Sequence, residues 1–174
     1  MPRIFRLPLP AALVVFLLML LPSSAPAASS PAWLGPQDLS TLGGESSLPA
    51  VAFDAEGFLA AAWFHHEGGH TVIQASTRTP GSSWTIPWQI SATGGDAQGA
   101  QVAVDAAGDV TVAWEQGAGQ TFVIYEAQLP AGGSWSAPVA ISSTTGNSRT
   151  PALAVSPAGE ATVLWAEEDP ESGE

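Results

Sequence analysis

Cysteine and lysine are both absent from this 174-residue chain. Without cysteine the protein has no disulfide framework and no thiol nucleophile, so its stability must come from packing. Charged residues make up only 11% of the chain, against about a quarter in an average soluble domain, and tryptophan is abundant. Such a composition predicts sheets that are buried on both faces.

Positive charge is also scarce, with four arginines against 16 acidic residues. Two of them, Arg3 and Arg6, lie near the start, which leaves Arg78 and Arg149 for the rest of the chain. A surface this acidic repels nucleic acid and anionic membranes, so neither is expected as a partner. We interpret the acidity as a means of solubility outside the cell, with bound cations as the alternative. No cofactor is predicted.

The first 27 residues have the features of a signal peptide. A basic start is followed by an apolar run at residues 11–21 and by the small-residue site Ala25-Pro26-Ala27. Cleavage is expected after Ala27, which would make the protein secreted. A retained anchor is the alternative, but the apolar run is too short to span a bilayer. No later stretch is long enough, so no membrane span is predicted after processing.

The rest of the chain repeats with a period of 51 residues and no insertions. The residues that recur at this step are Trp33, Trp84 and Trp135; Trp63, Trp114 and Trp165; Gly57, Gly108 and Gly159; and Ser40, Ser91 and Ser142. A fixed period of this length indicates one supersecondary unit copied in tandem. The repeats run over residues 33–83, 84–134 and, incompletely, 135–174.

Each repeat is predicted to form strands. First strands are expected at 49–54, 100–105 and 151–156, where large residues alternate mostly with alanine. Second strands are expected at 59–63, 110–114 and 161–165, each ending in tryptophan, and third strands around 72–73 and 123–124. Fourth strands are expected at 84–91 and 135–142, and a further one stands alone at the start, at 33–40. The small alanine face of the first strand allows close approach of a neighbouring sheet. Proline recurs in the fourth strand, which should therefore be an outer edge.

A turn follows each first strand, with Asp54, Asp105 or Ser156 at its first position and glycine at its fourth. The side chain should accept a backbone N–H, and the glycine should adopt positive φ. The aspartates also suggest calcium, but Ser156 keeps the turn without a carboxylate. We therefore favour the structural interpretation.

Four antiparallel strands in about 50 residues, with an edge strand last, are typical of one blade of a β-propeller. The predicted fold is all-β, with residues 28–174 forming part of a propeller. A β-sandwich is the alternative, although it does not require tryptophans at one spacing. The strands do not complete a ring of about four to eight blades. The missing blades would come from a longer chain or from self-association.

The corner before each fourth strand resembles the Asp-box of sialidase-like (BNR-type) β-propellers. The corners are residues 77–84 and 128–135, and the matching residues are Gly81 and Trp84 in one copy and Gly132 and Trp135 in the next. Thr79 and Pro130 replace the signature aspartate. The resemblance implies the propeller fold, with the Asp-box as a folding feature. Its enzyme members use an arginine cluster and a tyrosine nucleophile assisted by glutamate. The arginines here are too few, and Tyr125 lies inside a predicted strand.

Residues 66–70 spell His-Glu-Gly-Gly-His, the zinc-protease motif. That motif requires a helix, on which both imidazoles reach one zinc ion. Two glycines disfavour a helix, and the repeat places the segment in a hairpin between second and third strands. No metal site is predicted. The weak candidates for a stray transition metal are His65, His66 and His70.

The best candidates for ligand binding lie in the loops that enter each first strand, at 41–48, 92–99 and 143–150. Glu45, Asp96 and Asn147 are equivalent in the repeat and could line one face with oxygens. Arg149 breaks the pattern and could bind a ligand carboxylate or, as we favour, pair with a neighbour. Glu115, which follows a second-strand tryptophan, is a further candidate for ligand binding.

The sequence thus predicts an exported, non-catalytic repeat protein that binds glycan or protein through loops on one face. The alternative is a fragment of a sialidase-like glycoside hydrolase whose catalytic residues lie in missing blades. Paired carboxylates such as Glu45 and Asp96 would suit that chemistry only if they lay close together.

Overall fold

The computed structural model describes residue 33, residues 35–118 and residues 121–168. The predicted signal peptide lies outside these residues. A division at Pro36 separates the chain into two units, and every sheet lies in the unit Gln37–Glu174. The described residues form no helix, so none of them belongs to a helix long and apolar enough to cross a membrane.

The described residues form ten strands, which confirms the all-β prediction. They are β1 (Ser46–Phe53), β2 (Leu59–Glu67), β3 (His70–Arg78), β4 (Trp88–Gln89), β5 (Asp96–Val104), β6 (Val110–Ala118), β7 (Thr121–Leu129), β8 (Val139–Ala140), β9 (Asn147–Val155) and β10 (Ala161–Glu168). They form three antiparallel sheets, β1-β2-β3-β4, β5-β6-β7-β8 and β9-β10, here called sheets 1, 2 and 3. No described sheet closes on itself. β4 and β8 are edge strands, as the prolines predict.

Each sheet has a small face and a large face, which follow from its alternating sequence. In sheet 1, β1 pairs with β2 so that alanines lie opposite alanines, at 50 with 62 and at 52 with 60. In sheet 2, the corresponding pairs on the other face are Val102 with Val112 and Val104 with Val110. The small face of sheet 1 and the large face of sheet 2 share one core, with Trp114 fully buried within it. Alanine therefore allows the sheets to stack closely, as predicted.

The predicted turns are confirmed in all three repeats. Asp54 Oδ1 accepts the Phe58 N–H at 2.8 Å, and Ser156 Oγ accepts the Glu160 N–H at 3.1 Å. Asp105 Oδ1 accepts two N–H groups, from Ala107 and from Asp109. The fourth-position glycines have φ between 84° and 86°. The side chains thus close the turn themselves.

Several predicted strand bounds were wrong. The second strands continue past their tryptophans, because the hairpins that follow are tight and extend the pairing to Glu67 and Ala118. The fourth strands contain only two residues each, since Pro87 and Pro138 cannot donate to the ladder. Residues 33 and 35–40 form no strand. β4 and β8 each pair with the third strand that precedes them in the chain. Residues 33 and 35–40 have no described strand before them with which to pair.

The first strands begin earlier than predicted, at Ser46, Asp96 and Asn147. A bulge in each strand shifts the register and lets pairing resume on its far side. The bulge places one residue in the left-handed region: Leu48 (φ 47°), Gly99 (φ 66°) and Thr150 (φ 52°). The entering loops are therefore shorter than predicted, at 41–45, 92–95 and 143–146.

Candidate functional site

We call the end of the sheets that carries the entering loops and the hairpins after the second strands the loop end. The zinc-protease motif lies here, and the prediction that it forms a hairpin is confirmed. His66 and Glu67 end β2, His70 begins β3, and the turn between them has two glycines at φ 61° and 89°. Two successive positive φ values are typical of a type I′ turn. His66 and His70 are exposed, and the described residues contain no group of three or more histidine, cysteine or acidic residues placed to hold a metal ion.

His65 is buried, and both of its ring nitrogens have partners. Nδ1 lies 2.8 Å from Ser46 Oγ, and Nε2 lies 3.1 Å from Thr41 Oγ1. Thr41 Oγ1 also accepts a hydrogen bond from Gln74 Nε2 at 3.0 Å. The imidazole thus fixes the entering loop to sheet 1, and its lone pair is engaged within the protein.

An open depression of about 970 Å³ lies at the loop end of sheet 1. It is lined by Thr41, Leu42, Gly43, Gly44, Glu45, His65, His66, Glu67, Gly68 and Gln74. The Glu45 carbonyl accepts the His66 N–H at 2.8 Å. A Cβ on Gly44 would collide with the His66 carbonyl and the His65 ring. Only glycine therefore permits this close approach, and the lining is mostly polar.

Asp96 and Asn147 both connect neighbouring sheets, and they do so in the same way. Asp96 Oδ1 accepts the Thr71 N–H at 3.0 Å, and Asn147 Oδ1 accepts the Phe122 N–H at 2.9 Å. Each is the first residue of a strand, so their predicted position in a loop was wrong; the bulge extends the strand to include them. Their equivalent Glu45 has no such side-chain bond among the described residues.

Arg149 and Glu115 lie together between sheets 2 and 3. The Glu115 side chain is buried, with Oε1 accepting from Gln98 Nε2 and Oε2 from the Thr150 N–H, both at 2.8 Å. Arg149 Nη1 lies 3.9 Å from Oε1, and the guanidinium lies 3.9 Å from the centre of the Phe122 ring. The arginine thus has a neighbouring carboxylate, as the favoured interpretation predicted.

The cluster members that escaped sequence reasoning include Thr41, Gln74 and Gln98. The first two have no repeat equivalent of the same type, so the period does not single them out. Gln98 occupies the Arg149 position one repeat earlier. That equivalence was the available signal, because the two side chains approach the same carboxylate from β5 and β9.

Comparison of the chain with protein-family models, with curated proteins and with solved structures found no match.

Proposed function

We propose that this chain is an exported, non-catalytic β-propeller repeat protein that binds a glycan or a protein at its loop end. The stacking of the antiparallel sheets supports the propeller, because sheet 1 places its small face on the large face of sheet 2, and β9 of sheet 3 lies in the same way across sheet 2. The 51-residue step and the edge position of β4 and β8 also fit successive blades. The signal-peptide features of residues 1–27 support export.

The polar depression at the loop end of sheet 1 is the observation that carries the binding proposal. Of the three equivalent oxygen-bearing residues, Asp96 and Asn147 are engaged between sheets, whereas Glu45 is exposed and lines the depression. Exposed His66 and Glu67 line the same depression. Carboxylate oxygens accept hydrogen bonds from sugar hydroxyls, from amino groups and from basic side chains. A neutral or cationic ligand fits this chemistry better than an anionic one.

A sialidase-like enzyme would use arginine, tyrosine and glutamate side chains for catalysis. The non-catalytic part of the proposal is supported by the protein contacts that these residue types make here. Arg149 pairs with Glu115, and Tyr125 stacks on Trp114 with ring centres 6.3 Å apart. All four side chains serve packing between or within sheets. The described chain therefore supports recognition rather than hydrolysis.

The test is a binding screen of the full chain on an array of neutral, amino and sialylated oligosaccharides, followed by calorimetric titration of the strongest ligand. Glu45→Gln and Glu67→Gln should each weaken binding about three- to tenfold, as expected for loss of a charge-assisted hydrogen bond. Glu56→Gln, an exposed acid in the turn at the opposite end of sheet 1, is the matched control. Unchanged affinity in both loop-end variants would contradict the proposal, and absence of any ligand on the array would contradict its glycan form and leave a protein as the ligand.

A further inference from the structure

Two apolar surfaces that are covered elsewhere in the repeat are exposed in the part of the chain that the structure describes. The first is the large face of β1, where Val51 is 64% and Phe53 is 72% exposed. Their equivalents are half-buried, namely Val102 and Val104 in β5 and Leu153 and Val155 in β9. The difference is one of position, because β5 and β9 each lie across the preceding sheet. Among the described residues, no sheet stands in that position for β1.

The second open surface is the small face of sheet 3. It consists of Ala152 and Ala154 in β9 and of Thr162 and Leu164 in β10, which pair directly across the two strands. All four are exposed, and Leu164 is 69% exposed. Of the equivalent residues in sheet 1, by contrast, Ala60 and Ala62 are buried in the core beneath sheet 2, and Ala50 and Ala52 are half-buried.

These two surfaces correspond to the two sides of a junction that the chain already makes twice, although on the large face of sheet 1 only β1 is open, since Ala61 and Trp63 of β2 are already buried. β5 lies on the small face of sheet 1, across β1, β2 and β3. β9 lies in the same way on sheet 2, across β5, β6 and β7. Among the described residues, the small face of sheet 3 and the large face of β1 are therefore left exposed. A bulkier Leu164 stands where Ala62 lies in sheet 1, so the third junction would bury more apolar area.

We propose that a second copy of this chain docks head to tail, with its β1 large face on the small face of sheet 3. The occupant is a second copy because its β1 is the repeat equivalent of β5 and β9, the strands that the small faces of sheets 1 and 2 already accept within the chain. The contact is heterologous, since each copy contributes a different surface, and it leaves one surface of each kind free for further copies. The proposal depends on the stacked sheets and not on ligand binding at the loop end.

The test uses the full chain, expressed for export, in sedimentation velocity over a wide concentration range. Wild type should form dimers and longer assemblies as concentration rises, whereas Phe53→Asp and Leu164→Asp should each remain monomeric. Ile86→Asp is the matched control, because Ile86 is 88% exposed but lies on neither surface. It should assemble like wild type.

A mixture of the two monomeric variants provides the decisive measurement. Phe53→Asp retains an intact sheet 3 face and Leu164→Asp retains an intact β1 face, so the mixture should form a one-to-one dimer and nothing longer. A wild type that stays monomeric at every concentration, or a mixture that does not dimerise, would overturn the proposal. Wild type would remain monomeric if the open faces served instead as docking surfaces for another chain or for more of the same polypeptide. Far-UV circular dichroism checks folding, and Val51→Asp replaces Phe53→Asp if that variant unfolds.

Discussion

Three groups from two sheets converge on the carboxylate of Glu115, a residue that is only 6% exposed. Gln98 and the Thr150 N–H occupy one oxygen each, and Arg149 supplies the opposite charge. A buried carboxylate is tolerated only where its oxygens are satisfied in this way. Its value to the fold lies in the contact between sheets 2 and 3, because its partners come from both β5 and β9.

Glu115→Gln should destabilise the protein by about 1–3 kcal/mol, because it leaves the Arg149 charge without its carboxylate and places an amide donor against existing donors. Urea unfolding followed by tryptophan fluorescence measures this loss. Glu126→Gln is the control, since Glu126 is half-buried in the same sheet without a described hydrogen bond, and it should change stability by less than about 0.5 kcal/mol. Equal losses in the two variants would show that the cluster has no special role.

Gly57 and Gly159 can be compared to measure how closely the turns of neighbouring repeats approach each other. Both have nearly the same backbone, with φ of 86° and 85°. A Cβ on Gly57 meets Pro80 Cγ at 3.6 Å, whereas a Cβ on Gly159 meets Asp105 Oδ2 at 2.8 Å. Asp105 has no freedom to withdraw, because its Oδ1 is held by two N–H groups.

Gly57→Ala should therefore cost only the left-handed strain of about 1–2 kcal/mol. Gly159→Ala should cost about 1–3 kcal/mol more, through overpacking against the neighbouring turn. Hydrogen exchange of the amides in β9 and β10 reports the difference locally. If both variants lose the same stability, the turns of adjacent repeats are not in contact.

At the scale of the strand, serine hydroxyls that follow the short outer strands β4 and β8 accept backbone N–H groups of the neighbouring strands β3 and β7. Ser91 Oγ accepts the Ile73 N–H at 2.8 Å, and Ser142 Oγ accepts the Ile124 N–H at 2.9 Å. Ile73 and Ile124 are fully buried, so water cannot replace the serine. This contact explains why serine occupies both position 91 and position 142, after a strand of only two residues.

Ser91→Ala should destabilise sheet 1 by about 1–3 kcal/mol, because it leaves a buried N–H without an acceptor. Chemical denaturation measures the change. Ser83→Ala removes an exposed hydroxyl from the corner before the same edge strand, and its effect should stay within about 0.5 kcal/mol. A Ser91 variant as stable as wild type would mean that the edge strand has shifted to pair with β3 directly.

The bulges show where sequence reasoning reaches its limit. Strand centres and the Asp54 turn were predicted because alternation and turn chemistry are local properties of the sequence. The early start of β1 and β9 was missed because Leu48 and Thr150 are residue types that disfavour positive φ. The Glu115 cluster was missed as a unit because its partners are distant in sequence and meet only after the sheets stack.

Thr150→Gly should stabilise the protein by about 1 kcal/mol, since glycine adopts the left-handed conformation without a Cβ penalty. Gly99 already occupies the same position in β5, and the Thr150 side chain is exposed. Thr121→Gly is the control, because Thr121 is also exposed but lies in the regular ladder of β7. At that position glycine should destabilise the protein. Thermal unfolding of both variants measures the two changes in stability, which should have opposite signs. A loss of stability in Thr150→Gly would mean that the hydroxyl or methyl group of Thr150 contributes more than its backbone strain costs.

At the scale of the whole molecule, charge and apolar surface act in opposite directions. The chain has a formal net charge of −12, so two copies repel each other, whereas the open faces of β1 and sheet 3 attract through burial. Salt screens the repulsion over a Debye length of about 10 Å at 0.1 M and leaves the apolar term in place. A ligand held by Glu45 would instead be weakened by the same screening if it carries positive charge.

Raising sodium chloride from about 20 to 500 mM should therefore strengthen head-to-tail association several-fold and weaken the binding of a cationic ligand. Sedimentation velocity of wild type follows the first, and calorimetric titration of chitosan oligomers into Phe53→Asp follows the second without interference from assembly. Glu45→Gln should flatten the salt dependence of the ligand and leave that of assembly unchanged. Association that weakens with salt would show that ion pairs, and not the apolar faces, hold the copies together, because burial of Val51 and Phe53 has no charge to screen.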